Sequence, residues 1–351
     1  MQPNRSSYPR RIPRGISLVS ILVSLALMAG LAIGGLFWWS AQPLELPPLA
    51  QGEDSVDLAI APGSSAGGIS RGIAKATGGG AAQEGLLVAW LRISGKAGEL
   101  KAGSYEIMAG ESPRALIEKI ASGRQSLRSV TLIEGWNWRQ VRAALAKAQH
   151  LKNDSAALTD AQLMERLGRK GVHPEGRFFP DTYRYAKNAS DITVLRAALQ
   201  TMDRQLASAW SARRADLLLQ SPDELLILAS IVEKETGAAQ DRATISGVFN
   251  NRLRINMRLQ TDPTVIYGIG EAFDGNIRKR DLQTDTPYNT YTRAGLPPTP
   301  IAMPGQAALL AAAQPVDTRA LYFVARGDGS SAFSETLDAH NRAVNKYIRG
   351  L

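Results

Sequence analysis

The longest uncharged stretch of the chain runs from Gly15 to Trp39 and consists mostly of apolar residues. At about 1.5 Å per residue, roughly 25 helical residues can cross a hydrocarbon core with some tilt. Trp38 and Trp39 close the stretch, and tryptophan is enriched where a bilayer meets water. The pattern therefore predicts a membrane-spanning helix at residues 15–39.

The residues before this stretch predict its orientation. Residues 1–14 form a basic tail that carries Arg5, Arg10, Arg11 and Arg14. Because basic flanks stay in the cytoplasm, we expect a cytoplasmic amino terminus, with everything after Ser40 outside. A cleaved signal peptide is the alternative, but the apolar stretch is too long for one and bulky tryptophans precede Ser40. A retained anchor is favoured.

The segment after the anchor predicts a spacer and a small domain. Residues 40–54 are rich in proline and predict a short spacer between the membrane and the next domain. Residues 55–127 combine short strand patterns, such as the alternation at 56–60, with helical patterns. We therefore predict a small α+β domain at 55–127, with Trp90 and Tyr105 in its core.

Residues 128–351 predict a larger α+β domain, in which one helix is especially well defined. Ser221 is an N-cap, Pro222 occupies the first helical position, and Glu224 completes a capping box. Apolar residues then recur at helical spacing, and Gly237 is a natural stop.

Two carboxylates lie in the last turn of this predicted helix. Glu233 and Glu235 are separated by about 200° around the axis, so they cannot both face one substrate atom. Glu233 lies beside the apolar column of Leu226 and Ala229, and an apolar wall raises the pKa of a carboxyl, as a general acid requires near neutral pH. We select Glu233 as the catalytic acid. The alternative is a solvated helix end that includes Lys234.

Polar side chains of several kinds follow the acid. A second amphipathic helical segment ends near Asn250, and a loop stiffened by Pro263 comes next. So varied a set suits a sugar-binding cleft better than a solvated face, although each member could also be a satisfied structural residue. The candidate substrate-binding residues are Glu175, Asn250, Gln260, Thr261, Asp262, Tyr267, Tyr288 and Asn289.

The amino-acid composition limits the partners and the kinds of catalysis that are expected. The net charge of +9 favours a polyanionic partner; cell-wall polymer and anionic lipid fit as well as nucleic acid, for which no basic and aromatic recognition motif is present. Cysteine is absent, and His150, His173 and His340 lack zinc-ligand spacing, so neither a thiol nucleophile nor a metal centre is predicted. A Gly-x-Ser-x-Gly elbow is also absent.

Several motifs, in order along nearly the whole chain, resemble the YceG-like family of endolytic murein transglycosylases. They are Glu-Gly-Arg-Phe-Phe-Pro-Asp-Thr-Tyr at 175–183, Ser-Ile-Val-Glu-Lys-Glu-Thr at 230–236, Leu-Gln-Thr-Asp-Pro-Thr-Val-Ile-Tyr-Gly at 259–268, Tyr-Asn-Thr-Tyr at 288–291 and Gly-Leu-Pro-Pro at 295–298. The resemblance implies a LysM-like domain at 55–127 and a YceG-like catalytic domain at 128–351. It also implies anchoring in the bacterial inner membrane, with the catalytic part in the periplasm.

The implied activity is internal cleavage of peptidoglycan glycan strands. One Glu acts first as acid and then as base, while the C6 hydroxyl of N-acetylmuramic acid attacks C1 and leaves a 1,6-anhydro end. Nascent strands are the implied substrate, peptidoglycan synthases are implied partners, and no cofactor is expected. Two alternatives stay open: a hydrolysing muramidase, in which Asp262 or Glu175 supplies a second carboxylate, and a noncatalytic membrane-anchored glycan-binding protein.

Two positions depart from the pattern that the resemblance implies. Met303 stands where an Asn is expected, and Asn256 stands before Met257 where a Gly is common. Neither position includes Glu233, so the departures concern the contacts of the loops and not the reaction.

Overall fold

The computed structural model describes residues 18–49, 53–235 and 238–351. The chain divides into two compact units, with the boundary between Leu127 and Arg128. The predicted basic tail at 1–14, the first residues of the predicted span and the helix stop at Gly237 lie outside the described residues.

Helices predominate along the chain and the strands pair in small separate sheets, as in an α+β protein. The helices are α1 (Leu18–Ser40), α2 (Ala66–Ala76), α3 (Ala81–Ile93), α4 (Pro113–Ser122), α5 (Trp138–Lys147), α6 (Asp160–Arg166), α7 (Asp191–Ser211), α8 (Pro222–Glu235), α9 (Ala239–Arg254), α10 (Asp262–Ile269), α11 (Lys279–Gln283), α12 (Gln306–Ala313) and α13 (Leu337–Val344). The strands are β1 (Ser55–Ile60), β2 (Gly103–Met108), β3 (Leu127–Thr131), β4 (Thr182–Ala186), β5 (Tyr322–Ala325) and β6 (Ser331–Ser334). They form three two-stranded sheets within the described residues.

Helix α1 covers the described part of the predicted membrane span. Every residue from Leu18 to Gly35 is exposed, and an 18-residue window of the helix has a mean hydropathy of 2.3. Within the described residues it is the one helix long and apolar enough to cross a bilayer. Water is a poor solvent for so much exposed apolar surface, so the helix suggests a membrane anchor.

The first unit is built from two antiparallel strands with two helices between them. β1 pairs with β2, so that Leu58 lies opposite Tyr105. One face of the sheet packs with α2 and α3, and Trp90 and Tyr105 are only 5% and 1% exposed. The prediction that these two aromatics belong to the core is confirmed.

The start of the predicted spacer packs against the first unit. The side chain of Leu44 is buried in the same core as Trp90, and its backbone N–H donates to the carbonyl of Glu111 at 2.9 Å. The prolines of this segment predicted a spacer, but the apolar residues between them pack in the core of the first unit or against it. The segment at 41–49 is thus part of the unit and does not hold it away from α1.

The second unit is organised around α8. Residues from Leu225 to Val232 are all buried, because α7, α9, α10 and α12 all contact this helix. Enclosure on every side holds the last turn of α8 firmly in place beside the start of α10.

The beginning of α8 follows the predicted capping chemistry with one difference. The hydroxyl of Ser221 accepts a hydrogen bond from the Glu224 N–H at 3.2 Å. The Glu224 carboxylate accepts from the N–H of Gln220 at 2.6 Å, one residue before the predicted partner. The helix start is therefore confirmed, with the box displaced by one residue.

Candidate active site

The start of α10 is joined to the loop at 288–291 by a set of threonines. The Thr261 N–H donates to Thr290 Oγ1 at 3.0 Å, and the Gln260 N–H donates to the Thr290 carbonyl at 3.1 Å. Thr264 Oγ1 lies 2.9 Å from Thr290 Oγ1. Both Thr261 and Thr290 are buried, so the loop and the helix form one rigid polar corner.

The last residue of α8 faces this corner. Thr261 Oγ1 donates a hydrogen bond to Glu235 Oε1. The carboxylate lies at the wall of an open cleft of about 370 Å³, which we call the Glu235 cleft. The cleft is lined by Glu235, Arg252, Leu259, Gln260, Asp262, Tyr291, Tyr322, Phe323, Leu337 and His340.

The surroundings of Glu235 favour its neutral form. Burial raises the pKa of the Glu235 carboxyl, and the hydrogen bond from Thr261 opposes this increase. The negative charge of Asp262 raises the pKa further, and the positive charge of Arg252 lowers it. The net direction is upward, which a proton donor at neutral pH requires.

Two further groups shape the Glu235 cleft. The Tyr291 hydroxyl donates to Asp262 Oδ1 at 2.6 Å, which orients that carboxylate. The Arg252 guanidinium donates to the carbonyls of Leu259 and Leu321, both at 2.7 Å, and is buried. The cleft therefore combines one half-buried acid, one oriented carboxylate and one fixed cation.

A second and larger cleft lies on the other side of the α10 start. Its volume is about 710 Å³, and its lining includes four aromatic residues, so we call it the aromatic cleft. Its lining includes Trp138, Arg139, Glu175, Lys234, Pro263, Tyr267, Phe273 and Tyr288. The rings of Tyr267 and Tyr288 meet at 4.8 Å between centroids.

Glu175 is buried at the wall of the aromatic cleft, with 2% of its surface exposed. Its two carboxylate oxygens each accept from the Trp138 N–H at 3.0 Å, and Oε2 accepts from the Tyr267 hydroxyl at 3.0 Å. Burial raises the pKa of Glu175 to about 7 in spite of these donors.

Glu233 has different surroundings. Its Oε2 accepts a hydrogen bond from the Gly305 N–H at 2.9 Å, and the lining residues of the two clefts do not include it. Burial raises the pKa of this carboxyl as well, and the charge of Glu134 adds to the increase. Glu233 thus has the raised pKa of an acid but contacts a backbone loop, whereas Glu235 contacts the polar set predicted for the site.

Comparisons with known proteins identify the family. The YceG-like family profile matches residues 58–346. The chain belongs to the YceG-like family. It is 34% identical over 337 residues to the endolytic murein transglycosylase of Bacillus subtilis (strain 168), with 91% of each chain covered. An endolytic murein transglycosylase of Streptococcus pneumoniae is 28% identical over 94% of this chain, which spans 65% of that relative's length.

A solved structure supports the same assignment. The crystal structure of a YceG-like protein from Listeria monocytogenes superimposes with a TM-score of 0.52 at 28% identity. The match covers 83% of this chain and 99% of the Listeria chain. The mixed α+β fold of this YceG-like chain is therefore shared with a solved relative.

The predicted binding residues separate into three groups. Gln260, Thr261 and Asp262 lie at the Glu235 cleft or contact its acid. Glu175, Tyr267 and Tyr288 line the aromatic cleft.

Asn250 and Asn289 form the third group, whose side-chain amides hydrogen-bond backbone carbonyls of the protein. Asn250 is buried within α9, where its amide donates to the Ser246 carbonyl at 2.9 Å. The Asn289 amide donates to three backbone carbonyls at 2.7–3.2 Å, and its Oδ1 accepts from the Tyr291 N–H at 2.9 Å. Asn289 therefore positions Tyr291, and neither Asn lines one of the two clefts.

The structure brings Glu235, Arg252 and Tyr291 into the site in addition to the predicted residues. Tyr291 belongs to the same Tyr-Asn-Thr-Tyr motif as Tyr288, so the motif itself was the available signal. For Glu235, the available signal was the apolar pair Ile231 and Val232 one turn earlier on its side of the helix, although Glu233 has an apolar column of its own.

The two departures from the family pattern have structural explanations. The backbone at Asn256 has φ of +53°, a left-handed conformation that Gly adopts freely and Asn tolerates better than most residues. Met303 is fully buried, and its backbone exchanges hydrogen bonds with Gly135 and Trp136. A backbone role of this kind does not require an Asn side chain.

Glu175→Gln is expected to change how stability depends on pH. The folded protein keeps its proton on Glu175 up to a pKa of about 7, whereas an unfolded Glu loses it near 4.5. Wild-type stability should therefore fall as pH rises through this window, by at most about 3 kcal/mol. Glutamine does not titrate. The urea unfolding midpoint of the variant, measured in detergent, should therefore increase relative to that of wild type between about pH 5 and pH 8. A pH-independent difference would contradict the assignment.

Proposed function

We propose that this chain is an endolytic murein transglycosylase. It cleaves the bond between N-acetylmuramic acid and N-acetylglucosamine within peptidoglycan glycan strands and leaves 1,6-anhydro ends. Relatives that match 91% or more of the chain carry the name endolytic murein transglycosylase. The observation that carries the proposal is a half-buried carboxyl with a raised pKa, Glu235, at the wall of an open polar cleft.

Glu235 acts as both acid and base in the proposed reaction, in place of the Glu233 selected from the sequence. Neutral Glu235 donates its proton to the glycosidic oxygen as the bond from that oxygen to C1 breaks. The C6 hydroxyl oxygen then bonds to C1, and the ionised Glu235 accepts the hydroxyl proton. Water is not consumed, and the acid is restored. Thr261 and Arg252 support the ionised intermediate, because both favour the charged carboxylate.

In the hydrolysing alternative, the second carboxylate would be Asp262, which lies in the same cleft as Glu235. Glu175 lies in the aromatic cleft, whereas Asp262 shares a cleft with Glu235 and is oriented by Tyr291. A muramidase would use Asp262 to activate water. Purified glycan strands digested by the full chain in detergent distinguish the two reactions by mass analysis. Transglycosylation gives new ends lighter by one water than hydrolysed ends. Hydrolysed ends alone would refute the proposal.

The two clefts together suit a substrate that continues in both directions. Lys234 lines the aromatic cleft and the next residue, Glu235, lines the other, so the end of α8 separates them. A strand crossing this end would place sugars in both clefts. Aromatic faces such as Tyr267 and Tyr288 pack well on sugar rings. Binding on both sides of the cut is what internal cleavage needs, and we assign Glu175, Tyr267 and Tyr288 to this binding.

Thr261→Val should displace the pH profile of the reaction. The Thr261 hydrogen bond lowers the pKa of Glu235, so its loss raises that pKa and keeps the acid protonated to higher pH. The pH at which kcat/KM falls on the alkaline side should increase by about one unit, because a hydrogen bond to a charged group contributes about 1.5–3 kcal/mol. Thr264→Val is the matched control, because Thr264 is buried nearby but bonds Thr261 and Thr290. An alkaline fall that stays at the same pH for Thr261→Val would contradict this role.

We further propose that the first unit contacts glycan and that α1 anchors the chain in the inner membrane. The strand-helix-helix-strand order of β1, α2, α3 and β2 supports a LysM-like unit. The basic residues at 1–14 support a cytoplasmic amino terminus and a periplasmic catalytic unit. An enzyme anchored there meets strands as they are synthesised, so nascent strands are the proposed substrate and peptidoglycan synthases the proposed partners.

A further inference from the structure

Helix α3 carries an exposed apolar stripe on one face. Four apolar residues recur at intervals of four, three and four positions, which aligns them along one side of a helix. We call this set the α3 stripe; it consists of the exposed Ala82, Leu86 and Ile93 and of Ala89, which is half-buried against the core of the unit. Its two large members, Leu86 and Ile93, are 38% and 47% exposed. The other side of the helix is committed to the core of the unit through Leu87 and Leu91.

The α3 stripe lies beside the end of α1. Trp90 neighbours the stripe, four residues after Leu86 and three before Ile93. The Trp90 ring meets the ring of Phe37 edge to face, with 5.1 Å between centroids. Since Phe37 belongs to α1 and Leu36 and Leu44 are buried in the same core as Trp90, α1 and α3 are joined within one unit.

The length of α1 gives the height of this contact. A hydrocarbon core about 30 Å thick takes roughly 20 helical residues. Counted from Gly15, where the uncharged stretch begins, the core ends near Gly34, so Phe37, Trp38 and Trp39 fall in the headgroup region. Trp90, which contacts Phe37, therefore lies in the headgroup region next to the edge of the hydrocarbon. Leu86 and Ile93 are only about 6 Å and 4.5 Å from Trp90 along the α3 axis.

Arg114 adds a cation at the same height. Its guanidinium carbon lies 5.2 Å from the Trp90 ring centroid and 5.8 Å from that of Phe37. The side chain is exposed. An arginine held on aromatic rings at a bilayer edge is placed to bind lipid phosphate.

We propose that the α3 stripe lies in the lipid headgroup region where α1 leaves the membrane, with Arg114 beside lipid phosphate. The proposal rests on the anchoring role of α1 given under the proposed function. The first unit is then seated on the bilayer surface, at a height set by its contact with α1.

Lipid fits the stripe better than a protein partner does. The stripe lies near the exposed apolar surface of α1, which is long and apolar enough to cross a bilayer. Two exposed large residues form a patch well below the roughly 800 Å² per partner that a stable protein interface buries. Interfacial helices, in contrast, need only a few apolar residues that reach about 5–10 Å into the headgroup boundary.

Spin labels on the full chain test the proposal, because the sequence has no cysteine and every label site is unique. Single-cysteine variants Leu86→Cys and Ile93→Cys are labelled in vesicles of phosphatidylcholine and phosphatidylglycerol. Collisions with oxygen, which concentrates in lipid, are compared with those of a water-soluble nickel chelate. Leu25→Cys serves as the hydrocarbon reference, Trp38→Cys as the interface reference, and Ala59→Cys, on the outer face of β1, as the water reference.

The proposal expects labels at 86 and 93 to match the oxygen-to-nickel ratio at 38 and to exceed the ratio at 59. A ratio equal to that at 59, while 25 reports hydrocarbon, overturns the proposal and leaves the anchor in place. Shielding from both reagents also overturns it, since a protein partner would then cover the stripe. A label at 25 that reports water removes the anchor and the proposal together, whatever the enzymatic activity.

Arg114 variants test the phosphate contact separately. Arg114→Glu should make the label at 93 shallower, shifting its ratio towards that at 59, because the carboxylate repels lipid phosphate. Arg114→Lys keeps the positive charge and should restore the depth. Equal depths for the Glu and Lys variants would overturn the role of Arg114.

Discussion

Glu235→Gln is expected to lose glycan cleavage by a factor on the order of 10³, within the range that removal of a general acid–base group produces. Glutamine has nearly the same shape and still accepts the Thr261 hydrogen bond, but it has no proton of suitable acidity to donate. The rate of formation of new strand ends by the purified full chain measures this loss. Binding of glycan strands should persist, since the cleft keeps its other polar groups.

Glu233→Gln is the matched control for this prediction. It changes the same residue type in the same helical turn, and the new side chain still offers an acceptor to the Gly305 N–H. We expect its cleavage rate to stay within about threefold of wild type, because the hydrogen bond is kept and the clefts are untouched. Loss of cleavage in Glu233→Gln with retention in Glu235→Gln would reverse the assignment.

Gly176→Ala is expected to destabilise the second unit by about 2–5 kcal/mol. The backbone at Gly176 has φ of +77°, and an added Cβ would lie 2.5 Å from Pro300 Cβ and 2.7 Å from Pro300 Cγ. The positive φ costs about 1–2 kcal/mol for an L residue, and overpacking against a rigid proline ring adds about 1–3 kcal/mol. Urea unfolding in detergent, followed by tryptophan fluorescence, measures the loss.

Gly168→Ala separates these two contributions. Gly168 has φ of +81°, and an added Cβ would meet no atom within 4 Å. This variant should lose only the conformational part, about 1–2 kcal/mol. Equal losses in the two variants would show that the close approach of Gly176 to Pro300 contributes nothing.

Local chemistry made several elements predictable. The Ser221-Pro222 start of α8 needed no tertiary information, because the cap bonds lie within four residues. The exposed α1 follows from its uncharged length alone. The core positions of Trp90 and Tyr105 follow from their size, because a small unit buries its large apolar side chains together in one core.

The choice between Glu233 and Glu235 depended on tertiary packing. Helical phase separates a buried face from a solvent face, but α8 is buried on every side between Leu225 and Val232. Each carboxylate therefore has an apolar column behind it, and phase alone favours neither. What distinguishes them is the partner across space, Thr261 for Glu235 and Gly305 for Glu233.

The roles of loop residues were even harder to predict from the sequence. Asn289 has the composition of a ligand-binding residue, yet its amide is used by three carbonyls of its own loop. The prolines at 40–54 predicted a spacer, but Leu44 is buried in the hydrophobic core of the first unit. In both cases the outcome was decided by contacts that a linear pattern does not contain.

The role of Glu235 is tested by counting the 1,6-anhydro ends that wild type, Glu235→Gln and Glu233→Gln form from purified glycan strands under identical conditions. The catalytic role of Glu235 predicts abundant anhydro ends for wild type and Glu233→Gln and almost none for Glu235→Gln. Anhydro ends formed by Glu235→Gln at the wild-type rate would contradict it.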